Sequence, residues 1–94
     1  MAIIGSTIIL RAEFYDAKTN EICDPTSVEV NIYDTMKNQA IYTKLLEEQH
    51  KRSEGVYEFS YVVPDGRGHL IYEFLGIIDG NPAVARGIIE RSLM

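Results

Sequence analysis

The chain has 94 residues, 46% of them hydrophobic and 24% charged, and its 14 acidic against 9 basic residues give a formal net charge of -5. One core and one domain over residues 1–94 fit that length, two domains do not, and the apolar content excludes intrinsic disorder. Acidic residues spread along the whole chain repel phosphate, which excludes nucleic acid as the main partner.

Residues 1–6 form a short apolar lead, interrupted by Gly5, that reads as an edge strand. The first ten residues carry no Lys or Arg, and no apolar run reaches the length of a signal-peptide core or a membrane span. The expectation is a chain that is not secreted by a signal peptide, stays in the cytoplasm of the cell that makes it and has no membrane partner. In residues 7–16, Ile8, Leu10, Ala12 and Phe14 alternate with Ile9, Arg11, Glu13 and Tyr15, the period of a strand with one dry face. Turn-rich residues 17–21 and the break Asp24-Pro25-Thr26-Ser27 leave Ile22 and Cys23 in a long connection or a very short strand. Val28, Val30 and Ile32 then alternate with Glu29, Asn31 and Tyr33 in a second clean strand ending at Asp34.

Residues 35–53 fit two readings. As a helix, Ile41, Tyr42, Leu45 and Leu46 make an apolar stripe and Lys44 and Glu48 stand four apart. As strand the alternation is less clean, yet every other segment is β, so strand is the reading adopted and the helix stays open.

From Gly55 onward Tyr57, Phe59, Tyr61 and Val63 fall on every second position, and Pro64 ends the run because it cannot donate a ladder hydrogen bond. Asp65-Gly66-Arg67-Gly68 turns the chain into a strand carrying Tyr72, Phe74 and Ile78, and the two strands read as a hairpin. Asp79-Gly80-Asn81-Pro82 is a second turn, leading into a last strand over residues 83–90 that runs antiparallel to its predecessor. Residues 91–94 are expected to fray. Strands of this length between turn signals are the pattern of an all-β sandwich or small barrel.

Three runs, Asp24-Pro25-Thr26-Ser27-Val28-Glu29-Val30-Asn31-Ile32-Tyr33-Asp34, Gly55-Val56-Tyr57-Glu58-Phe59-Ser60-Tyr61-Val62-Val63-Pro64 and Asp79-Gly80-Asn81-Pro82, occur in the order seen in immunoglobulin-like and macroglobulin-like β-sandwich modules of bacterial surface and phage proteins. The chain resembles such modules over residues 7–90. It departs from antibody-type domains in having neither the two sandwich cysteines nor tryptophan. The resemblance implies an immunoglobulin-like antiparallel β-sandwich of six to seven strands, and it suggests a phage virion structural or accessory protein, assembled in the host cytoplasm.

No catalytic signature accompanies this pattern, and the expectation is a protein that is not an enzyme and uses no cofactor. Cys23 stands alone, so it can form no intrachain disulfide and cannot complete a thiolate metal site, and its neighbours Glu21 and Asp24 disfavour a reactive thiolate. His50 reads as solvated in a polar run and His69 as the first residue of a strand. Asp16, Asn20, Glu21 and Asp24 offer oxygen ligands to calcium but include Lys18 and lack the glycine of a calcium loop. Tyr15, Tyr33 and Tyr42 are out of phase with the core and offer rings to a carbohydrate, so a ligand-binding module is the alternative function. The more specific feature is apolar residues on both sides of the last two strands. With Tyr72, Phe74 and Ile78 inward, Ile71, Leu75 and Ile77 point outward, interrupted by Glu73, beside Val84 and Ile88 of the neighbouring strand. Monomers seldom leave such a patch wet. The expectation is a protein-interaction or structural module whose contact residues are Ile71, Leu75, Ile77, Val84 and Ile88, with another protein, a second copy or a virion assembly as partner. The alternative is a roof formed by Ile3-Ile4 or by Leu45-Leu46.

Overall fold

A computed structural model describes residues 2–93. Eight strands follow one another: β1 (Ala2–Ile3), β2 (Thr7–Glu13), β3 (Val28–Asp34), β4 (Gln39–Leu45), β5 (Lys51–Ser53), β6 (Val56–Val62), β7 (His69–Ile78) and β8 (Asn81–Ser92), with one 3-10 turn at Glu48–His50 before β5. They form a five-stranded sheet in the order β1-β8-β7-β3-β4 and a three-stranded sheet in the order β2-β6-β5. The fold is therefore all-β with two sheets, as expected. The strand number exceeds the expected six or seven because two very short strands, β1 and β5, pair at the margins. Ladders are antiparallel except that of β1, which runs parallel to β8 through Ala2–Arg91 and Ile3–Ser92.

The inward rows follow the alternation in the sequence. Leu10, Ala12 and Phe14 from the β2 side, with Tyr57 and Phe59 of β6, join Val28, Val30, Ile32, Leu70, Phe74 and Ile89 of the larger sheet in one buried cluster. Residues 35–53 resolve as strand, turn and strand: Leu46 reaches the core while Leu45 stays exposed, as the bend after β4 requires.

Two expectations are corrected. The strands flanking residues 65–68 are not a hairpin. β6 pairs with β2 and β5, whereas β7 pairs with β3 and β8, so Pro64 and the glycines carry the chain from one sheet to the other. Nor do Arg91 and Ser92 fray. They belong to β8, and the Arg91 side chain, 2% exposed, hydrogen-bonds through Nε to the Gly68 carbonyl at 3.0 Å, through Nη1 to that of Asp65 at 3.1 Å and through Nη2 to that of Arg67. The same guanidinium stands 3.5 Å from Asp34, which closes the β3–β4 turn by accepting the Met36 and Lys37 N–H groups. One buried cation thus fastens the crossover between the sheets.

The β7–β8 hairpin is the tight one. Ile78 pairs with Asn81 across Asp79 and Gly80, both with positive φ (51° and 77°), the two-residue turn that matches strand twist. On the inner face of this ladder Gly87 lies opposite Tyr72, and a side chain at Gly87 would run into the Tyr72 ring. Gly87→Ala is expected to cost about 1–3 kcal/mol by overpacking, read as a lower urea midpoint with an unchanged slope.

Candidate functional site

The outer face of the five-stranded sheet is where the expected contact residues fall. The β7–β8 register sets Ile71 beside Ile88, Leu75 beside Val84 and Ile77 beside Pro82, all on the side away from Phe74. Val84 is 48% and Ile88 66% exposed, while Ile71, Leu75 and Ile77 are half-buried among their neighbours. Neither expected roof forms. Ile3 and Ile4 extend the rim of β8 beside Ser92, and Leu46 turns into the core.

The patch is not continuous, however. Register carries Thr43 of β4 beside Asn31, Asn31 beside Glu73 and Glu73 beside Arg86, a polar row across four strands. Thr43 donates to Asn31 Oδ1 (2.9 Å), Asn31 Nδ2 to Glu73 Oε1 (3.3 Å), and Arg86 Nε to Glu73 Oε2 (2.8 Å). Tyr33 adds its hydroxyl to Glu73 Oε1 at 3.4 Å, and burial together with the Glu73 charge pushes that phenol above its usual range. Glu73 is the single acceptor that holds three side chains, and although it points outward only 8% of the residue is exposed. A charge this covered is tolerated because it is paired and hydrogen-bonded. The row divides the apolar surface in two. On one side lie Ala40, Tyr33, Ile71 and Ile88, on the other Leu45, Leu75 and Val84 with Glu29 among them. Asn31, Thr43 and Arg86 were not singled out from the sequence. The signal for Arg86 was present, since a two-residue turn at 79–80 pairs residue 73 with 86.

The other candidates do not converge. Asp16 accepts the N–H groups of Lys18 and Thr19, and Asp24 accepts the Gly55 N–H and the Lys51 ammonium, both at 2.6 Å. The Lys51 and Gly55 donors hold the Asp24 carboxyl below its ordinary range, and the pairing raises Lys51. These carboxylates are engaged in shaping loops, and among the described residues no group of three or more His, Cys, Asp or Glu stands close enough to hold a metal. Cys23 is half-buried, and burial, with Asp16, Asp79, Asp24 and Glu54 around it, pushes its thiol up, away from nucleophilic thiolate. His50 is not simply solvated: its Nδ1 accepts the Glu47 N–H at 3.0 Å and its ring packs against Phe59. The three tyrosines lie apart, Tyr15 beside the 16–22 loop, Tyr33 on the outer face and Tyr42 against Phe59 and Tyr61. They make no common platform for a sugar ring.

No family model matches the chain, and no curated protein or solved structure matches it. The class that geometry defines is an all-β protein of two sheets around one core, with a half-apolar outer face on the larger sheet.

Proposed function

We propose that the protein is a non-catalytic protein-interaction or structural module with an immunoglobulin-like sandwich fold, and that its contact surface is the outer face of the five-stranded sheet. The topology supports the fold assignment: lettering β2 to β8 as B, C, C′, D, E, F and G gives sheets D-E-B and G-F-C-C′, the immunoglobulin arrangement with the first strand moved to the rim of G. The observation that carries the functional reading is the pair of apolar rows flanking Glu73, left without cover by any segment of the chain among the described residues. Arginine is enriched at interface centres, and here one held in place by a carboxylate stands among apolar side chains. A virion as the setting rests on the sequence resemblance alone.

Ile88→Asp is expected to dissolve the assembly, raising the dissociation constant roughly 30-fold or more, while the circular dichroism and melting profile stay those of a folded β-protein. Because residue 88 is 66% exposed in the monomer, Ile88→Lys serves as a second variant whose charge is accommodated there. Sedimentation profiles unchanged by both substitutions would remove this face from the interface.

A further inference from the structure

Two surfaces of β8 offer themselves to a second chain, its rim and its outer face. Among the described residues β1 pairs with β8 only at Arg91 and Ser92, which leaves the rim from Asn81 to Ile89 without a partner strand. The Ile4 N–H bonds to the Ser92 carbonyl, and the alternation of a ladder then turns the backbone groups of the even-numbered residues, Val84, Arg86, Ile88 and Glu90, toward that rim. Two rims joined antiparallel gain an opposite charge only in the register that sets Arg86 against Glu90 of the other chain. That register drives residues 84 and 85 of the second chain into the place β1 already occupies beside Arg91 and Ser92. Registers that clear β1 set Arg86 against Val84 or Pro82, and Pro82 has no N–H to give. The rim is built against pairing.

The outer face has the opposite character. Rows stand about 7 Å apart along the strands. The row holding Ile71 and Ile88 lies midway between the row of Glu90 and the row of Arg86. A two-fold axis laid across the strands along that middle row superposes Ile88 on Ile88 and Ile71 on Ile71 of the other chain, and it brings each Glu90 over the other chain's Arg86. Arg86 uses Nε on Glu73 and is 66% exposed, so its terminal amino groups remain for a second carboxylate. We infer that the occupant of this face is a second copy of the chain, packed sheet on sheet about that axis, with an Ile71–Ile88 centre closed at both ends by Arg86–Glu90 ion pairs between chains. Sheets packed in this way stand about 10 Å apart, which isoleucine side chains from both sides fill. The inference rests on the contact face proposed above and adds the partner and the axis.

The test uses the full-length chain. Glu90→Lys sets like charges together at both ends and is expected to weaken self-association roughly tenfold, an effect that shrinks at high salt. Ile88→Cys in a Cys23→Ser background is expected to be captured as a covalent dimer by a short bis-maleimide, because the two thiols face each other across sheets about 10 Å apart, too far for a direct disulfide, whereas Val84→Cys is carried away from its copy and stays monomeric. A protein that sediments as a monomer at every concentration overturns the two-fold pairing. If Ile88→Asp dissociates the assembly while Glu90→Lys leaves it intact and Ile88→Cys does not cross-link, the face stands and this axis falls. If no substitution on the face alters association, both fall together.

Discussion

Phe74→Ala is expected to lower stability by about 3–5 kcal/mol, a large share of what a domain of this size possesses. Phe74 is wholly buried at the middle of the larger sheet, paired with Val30 on β3 and Ala85 on β8, and its ring meets Tyr72 edge-on with centroids 6.1 Å apart. Both neighbours on the ladder are smaller and fixed by backbone pairing, so the space left by the ring cannot close. Urea unfolding followed by circular dichroism reads the loss directly. A cost under about 1 kcal/mol would mean that residue 74 does not face the core, and the outward assignment of Leu75 would fail with it.

Arg91→Met is expected to cost about 2–3 kcal/mol for a different reason: it leaves the buried Asp34 carboxylate without its cation and unties an exposed crossover loop. The carbonyls of Asp65, Arg67 and Gly68 lose their donor, and Asp34 loses the cation beside it. Burial works against ionisation of Asp34, yet the Lys37 and Met36 N–H groups and the Arg91 charge outweigh it and hold the carboxyl below its usual range. A carboxyl depressed by folding contributes stability that is complete above the unfolded value, about 3.9, and is lost as pH falls through the folded one. The wild-type protein is therefore expected to lose stability below pH 4, and Arg91→Met to flatten this limb in part, since the two N–H donors remain. Titration of the Asp34 carboxyl by NMR checks the cause: its midpoint rises in the variant, and an unmoved midpoint would show that Arg91 acts by packing alone.

The inward residues of the main strands were legible because period-2 alternation and turn residues are local properties. Leu10, Phe14, Val30, Ile32, Phe59 and Phe74 all lie where that alternation puts them. Sheet membership was not legible. Val56–Val62 and His69–Ile78 are consecutive and joined by a glycine-rich connection, which is the local signature of a hairpin. What sends them to different sheets is long-range: β3 and β8 already flank β7, and Arg91, twenty-three residues from Gly68, fastens the crossover. The outer face was legible in part for the same reason. Hydropathy alone marked Ile71, Leu75, Ile77, Val84 and Ile88, whereas the polar row that divides them depends on which residue of β3 or β4 stands beside Glu73, a matter of register between strands distant in sequence.

The proposed contact between the outer face of the five-stranded sheet and another protein surface is tested by a dilution series of methyl and amide NMR spectra, which locates it residue by residue. Contact through this face predicts concentration-dependent shifts at the Ile71 and Ile88 methyl groups and at the Arg86 side chain, with the β2-β6-β5 sheet unmoved. Shifts confined to the exposed side of β2 and β6, around Ile9 and Val62, would contradict it.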